Sequence, residues 1–202
     1  KQSAMLVRMK LASQNIDNLG LVVGMCEEIG IKQIIDHACG EQAKNKHLTF
    51  GQAVVCMILN GLGFVGRTLY LYSEYFEQKP INHLLDSPIQ SKHISDNVLG
   101  RTLDKLFSLG VTELFTRIAL QAMSKLGVKV KNLHLDSTSF HVDGEYNSLL
   151  EQGESWIKLT KGYSRDHRPE LNQAILQMIT SSQGNLPLFM QASSGNSADK
   201  AT

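Results

Sequence analysis

The sequence predicts an α+β chain in which helices come first and strands follow. Three observations predict it. From Asn15 to Leu126 apolar residues recur at helical spacing, punctuated by glycines and by short polar residues suited to caps. After Gly127 the period falls from 3.6 to 2. The link Ser182-Gln-Gly184-Asn185 then stands between two apolar runs as a hairpin signal, which makes the flanking strands antiparallel neighbours. The 202 residues therefore divide into a disordered lead at 1–14, a helical domain at 15–127 and a strand region at 128–202.

Taken in order, Asn15 or Asp17 is expected to cap a first helix carrying Leu19, Val22, Val23, Cys26 and Ile29, which ends at Gly30. Ile31 to Cys39 forms a second, stopped by Gly40. Thr49 caps an apolar helix from Phe50 to Asn60. The glycine-rich stretch 61–66 interrupts it, and Thr68 to Gln78 resumes with Leu69, Tyr72, Tyr75 and Phe76. Pro80 ends that segment and opens a short one reaching Asp86. Ser95 or Asp96 caps a helix over 97–109, with Gly110 behind it. Thr112 caps the last, whose Leu114, Phe115, Ile118, Ala119, Ala122, Met123 and Leu126 make a wide apolar stripe.

Three strands follow, centred on 130–140, 173–181 and 186–192, with a polar excursion at 142–172 between the first two. Ser194-Gly-Asn-Ser197 reads as a turn and N-cap, with a helix starting near Ala198. A sheet of three strands with a helix just begun reads as an unfinished domain.

Bulk composition excludes several classes. A hydrophobic content of 42% with 4 prolines describes a globular chain that can bury a core. Net charge is +1, so any nucleic-acid surface must be local. No apolar run reaches the roughly 18 residues a membrane span needs, and the N-terminal residues lack a secretory apolar region. Cys26, Cys39 and Cys56 are odd in number, lack CxxC spacing and sit in apolar helical contexts. They read as buried free thiols in a reducing cytoplasm, not as a zinc site.

Two stretches carry chemistry. In the first strand Asp136 arrives directly after Val128, Val130, Leu133 and Leu135, and is followed by Ser137, Thr138 and Ser139. Either the strand ends at Leu135 and Asp136 caps a turn, or a carboxylate is held rigidly at a sheet surface to bind a metal ion. The second stretch is the end of the polar excursion, Lys158 to Asn172. Lys158, Lys161, Arg165, His167 and Arg168 stand close in sequence, interleaved with Tyr163 and preceded by Trp156. That suits a phosphate-contacting edge. The simpler reading is a solvated loop in which Pro169 fixes the approach to the next strand and Asp166 caps a turn.

Taken together, Leu133-His-Leu-Asp136-Ser-Thr138, Gly162-Tyr-Ser-Arg-Asp-His-Arg-Pro-Glu-Leu-Asn-Gln173 and Ser194-Gly-Asn-Ser-Ala-Asp199 resemble bacterial insertion-sequence transposases of the DDE type, with a ribonuclease H-like catalytic core. The stretch 15–126 is similar to the helical N-terminal domain of these enzymes. The resemblance implies an α+β chain whose strands open a ribonuclease H-like domain. It also implies DNA transposition by two-metal phosphodiester chemistry with Mg²⁺ or Mn²⁺, held by two aspartates and a glutamate. Asp136 matches the first of these carboxylates, on a central strand. The second belongs after a fourth strand, beyond the helix that begins near Ala198. Asp199 matches the helix-opening residue of its motif instead, and Glu145, Glu151, Glu154 and Glu170 match nothing catalytic. On this resemblance the chain is the front part of a transposase, with one metal ligand of three and no cleavage activity by itself. Its implied partners are double-stranded DNA, as terminal inverted repeats and target, and other copies of the chain.

Other classes stay open. A truncated transposase acting as a non-catalytic DNA-binding or pairing module fits the same residues, as does an unrelated helical binding protein with a β appendage. The segment from Phe50 to Phe76 has the outline of a helix-turn-helix. Its second half carries Glu74, Glu77 and three tyrosines with only Arg67 and Lys79 nearby, which fits core packing better. Lys92, Arg101 and Lys105 are the remaining cations for base reading. His134, two residues before Asp136, shares its strand face and is placed to join a metal site there, although a packed histidine is the ordinary reading. His141 has no stronger claim.

Overall fold

The structure, a computed structural model, describes residues 13–40, 47–62, 69–144, 157–163 and 167–197. Among these residues seven α-helices precede a three-stranded antiparallel sheet, so the chain is α+β with a helical N-terminal part. It forms two compact units, Lys1–Lys105 and Leu106–Thr202. The period changes at Gly127, but the boundary between units falls earlier, within a helix.

The first unit begins with α1 (Leu19–Ile29) and α2 (Ile31–Cys39), joined by Gly30 alone. Gly30 takes φ 84°, ψ 31° and donates its N–H to the Cys26 carbonyl at 3.0 Å. A residue with a Cβ would be strained in that left-handed conformation. The first helix is not capped by Asn15 or Asp17. Asn15 Oδ1 accepts from the Asp17 N–H at 3.1 Å, Asp17 turns to φ 49°, and Asn18 becomes the N-cap without a side-chain bond.

Thr49 caps α3 (Phe50–Gly61) as the sequence predicts. Its Oγ1 accepts the Gln52 N–H at 3.0 Å, and Gln52 Oε1 accepts the Thr49 N–H at 2.9 Å. This reciprocal pair satisfies two helix-end donors. Asp36 of α2 accepts the next amide, Gly51 N–H, at 2.7 Å, where a carboxylate meets the positive end of α3. A Cβ on Gly51 would collide with the Lys32 backbone, so glycine is what lets α2 and α3 approach this closely.

After a 3-10 turn at Leu69–Leu71 come α4 (Tyr72–Glu77), α5 (Ile81–Leu84) and α6 (Asp96–Leu109). The predicted helix 68–78 is thus shorter. Leu19, Cys56, Leu59, Phe76, Ile94 and Leu99 are fully buried. The three cysteines are buried and free, as expected. Burial pushes each thiol up, that of Cys56 to about 12.

The unit boundary lies inside α6. After the last turn of α6 the second unit continues with α7 (Val111–Leu126), which starts one residue before Thr112. Gly110, at φ 88°, is its N-cap and makes no side-chain bond, while the Thr112 carbonyl accepts the Thr116 hydroxyl at 2.8 Å within the helix. Leu114, Ala119 and Ala122 are buried, whereas Leu126 is exposed and drops out of the predicted stripe. Gly127, at φ 63°, ends the helix.

The strands are β1 (Leu133–Val142), β2 (Asn172–Ser181) and β3 (Pro187–Ser194), in the order β1-β2-β3. Both pairings are antiparallel, with a register irregularity at Ile179/Thr180. The predicted hairpin closes through Gly184 at φ 73° and Asn185 at φ 50°. Ser181 tightens it, its Oγ donating to the Gln183 carbonyl at 2.7 Å and accepting the Leu186 N–H at 3.2 Å.

The apolar run before Asp136 has the texture of a buried strand, but β1 starts at Leu133, later than that run suggests, and Leu135 is 70% exposed. The cause is position. Among the described residues β1 is an edge strand, and α7 lies against β3, two strands away.

Candidate nucleic-acid interface

Asp136 is the fourth residue of β1, so the strand runs through it and does not end at Leu135. It stands directly opposite Met178, which in turn faces Met190 on β3. Alternation puts His134, Thr138 and Phe140 on the same face of β1. Asp136 is exposed, so it does not bear the desolvation cost of a buried carboxylate. Its Oδ1 accepts the N–H of Ser137 at 2.8 Å. His134 is exposed beside it, and His141 lies on the other face. In the described sheet Asp136 therefore occupies an edge position, where the resemblance implied a central one.

The basic stretch is anchored by a backbone crossing. Thr160 and Gln173 exchange both main-chain hydrogen bonds, Thr160 N–H to the Gln173 carbonyl at 3.3 Å and Gln173 N–H to the Thr160 carbonyl at 3.0 Å. Two residues earlier, the Lys158 carbonyl accepts the Gly195 N–H at 3.1 Å, and the Lys158 N–H donates to Ser194 Oγ at 3.0 Å. The segment 157–163 is thus fastened where β2 begins and β3 ends.

The Gln173 side chain locks this crossing from inside. Only 1% exposed, it donates from Nε2 to the Gly195 carbonyl at 2.8 Å and to the Tyr163 carbonyl at 3.2 Å. Among the described residues its Oε1 meets no donor. Gly162 and Gly195 sit at the contact itself. A Cβ on Gly162 would collide with the Gly195 carbonyl, and one on Gly195 with the carbonyls of Gln173 and Thr160. Gly162, Gln173 and Gly195, which lie in separate sequence blocks, thus meet in one structural feature. Sequence reading put Gly195 in a turn and Gln173 at a strand start, and did not bring Gly162, Gln173 and Gly195 together. The available signal was glycine next to strand ends, which marks close backbone approach.

From this crossing the side chains of Lys158, Lys161 and Tyr163 are exposed. His167 and Arg168 are also exposed and lead into β2, with His167 at φ 57°. The Leu171 N–H donates to the Arg168 carbonyl at 3.2 Å across Pro169 and Glu170, so Pro169 lies at the second position of a turn leading into β2. Arg168 Nε is hydrogen-bonded and paired to Glu170. That bond raises the Arg168 pKa and lowers that of Glu170. Arg168 therefore brings less net charge to a phosphate than Lys158 or Lys161 does. Arg165, Trp156, Asp166 and Asp199 lie outside the described residues.

Tyr72 and Phe76 are buried, and Tyr75 packs edge-on against Phe76 with ring centres 4.8 Å apart. Core packing accounts for α4. The glycine-rich stretch 63–66 that would form the turn of a helix-turn-helix is outside the described residues. Lys92 and Arg101 are exposed and Lys105 is half-buried, all three in the first unit.

For divalent ions the fit is incomplete. Two-ion phosphodiester chemistry needs several carboxylates converging on one point. Among the described residues no group of three His, Cys, Asp or Glu side chains could hold a metal. Asp136 supplies one carboxylate, and Glu170 is committed to Arg168. No cleavage step is assigned to these residues.

Residues 11–120, more than half of the 202, match the model of a family described as a domain of unknown function, DUF4277, and the chain belongs to that family. The match covers helices of both compact units and stops within α7, before β1. No curated protein and no solved structure matches the chain. Among the described residues no helix is long and apolar enough to cross a membrane.

Proposed function

We propose that the chain acts in DNA transposition, as the DNA-binding front part of a transposase, and that the segment from Lys158 to Arg168 contacts the DNA backbone. The Gln173-locked crossing carries this reading. It fixes the backbone beneath Lys158, Lys161 and Tyr163 while their side chains stay exposed. Fixed cations bind phosphates with less entropy to lose than cations on a loose loop. The family domain, commonly found in transposases, supports the same reading.

In this proposal Asp136 is the first carboxylate of a larger constellation that would take Mg²⁺ or Mn²⁺, and this polypeptide binds DNA without cutting it. Fluorescence anisotropy with the element's terminal inverted repeat and with scrambled duplex tests the binding. The repeat is expected to bind more tightly, and Lys158→Gln with Lys161→Gln to weaken both duplexes and flatten the salt dependence. Equal affinity for the two duplexes, unmoved by the lysine changes, would sink the proposal. Mg²⁺-dependent nicking of end DNA that disappears in Asp136→Ala would instead show that the chain completes a cleavage site.

A further inference from the structure

We infer that Tyr163 is a stacking platform for an unpaired base, so that the segment from Lys158 to Tyr163 takes single-stranded DNA in preference to intact duplex. The inference rests on the DNA-binding reading above and names the form of DNA that this part of the site receives. Tyr163 is 86% exposed, more than any other large apolar or aromatic side chain among the described residues. Its backbone is the opposite of loose. Its carbonyl is held by Gln173 Nε2 at 3.2 Å, and the residue before it is Gly162, wedged against the Gly195 carbonyl.

A ring above a pinned main chain loses side-chain freedom alone, with no backbone to order, when a flat partner covers it. Among the described residues no aromatic ring does so, since the ring pairs are His47 with His93 and Tyr75 with Phe76. Lys161 and Lys158, two and five residues before it, are exposed cations. This is the combination single-stranded nucleic acid requires, a positive track for the backbone and an aromatic face for a base. In the interior of a duplex both faces of each base are already stacked on neighbours, so the ring has a face to meet only at the duplex ends. A hydroxyl contact from Tyr163 to a duplex phosphate is the competing use of the same side chain.

The full chain and its Tyr163→Ala, Tyr163→Phe and Lys158→Gln/Lys161→Gln variants are titrated against labelled oligo(dT) and a labelled blunt duplex, with circular dichroism as the check on folding. Tyr163→Ala is expected to weaken oligo(dT) about tenfold, with Tyr163→Phe within about twofold of wild type, since phenylalanine keeps the ring. Duplex affinity falls far less than oligo(dT) affinity in Tyr163→Ala, since the two lysines still meet the duplex phosphates. The lysine pair lowers binding to both forms. Equal loss on oligo(dT) and duplex in Tyr163→Ala overturns the inference, as does a Phe variant as weak as the Ala variant, or no loss on oligo(dT). In those cases wild-type duplex binding leaves the DNA-binding reading standing. No binding of wild type to either form overturns both.

Discussion

The helical unit and the strand unit bury different chemistry. In the first, the fully buried side chains are mostly apolar: Leu19, Leu59, Phe76, Ile94 and Leu99. Among the described residues of the second they are Gln173 and Ser181, while Leu133, Leu135 and Phe140 of β1 stand more than half exposed. One unit is held by the filling of volume, which is sensitive to lost methylenes. The other is held at its crossing by amides and carbonyls that satisfy one another, which is sensitive to any atom that separates them. A polar residue placed at the centre of such a contact fixes the backbone around it, and the exposed side chains of that backbone are then left for a partner.

This contrast can be broken in three places. Phe76→Ala is expected to have the largest effect, about 3–5 kcal/mol of destabilisation by denaturant titration, because a cavity opens beside packed helices. A loss of well under this range would mean the helical unit is not held by packing. Gly162→Ala comes next, at about 1–3 kcal/mol, since a methyl group must push two backbone segments apart. Hydrogen exchange should show Thr160 and Gln173 amides losing protection, and unchanged protection there would refute the locked crossing. Leu135→Gln is the smallest, within about 0.5 kcal/mol, because the side chain is already solvated. Light scattering of the same variant sharpens the point. The edge and apolar surface of β1 are suited to self-association, and a wild type that is monomeric at high concentration, with the variant no different, removes that expectation.

Much of the helical unit was legible because its signals are local. Gly30, Gly40, Thr49 and Pro80 act within a few residues of themselves, and the structure places each at the helix end that the sequence assigns. The errors were local as well. A glycine in front of Thr112 and a left-handed Asp17 displaced caps by a residue or two, where several polar residues compete for one helix end. The hairpin at 182–185 was readable for the same reason, since Gly184 and Asn185 tolerate the positive φ that the turn imposes.

Sequence alone determined the order of elements, the change of period at Gly127, the antiparallel pairing of β2 with β3 and the positions of Asp136 and the basic stretch. Only the tertiary structure decided that β1 lies exposed at an edge of the described sheet, that Arg168 is paired with Glu170, and that Gly162, Gln173 and Gly195 form one crossing. The reason is physical. Periodicity and capping depend on neighbours along the chain, whereas exposure of a strand and the meeting of residues 162, 173 and 195 depend on which distant segments pack together. No pattern within a single segment encodes that.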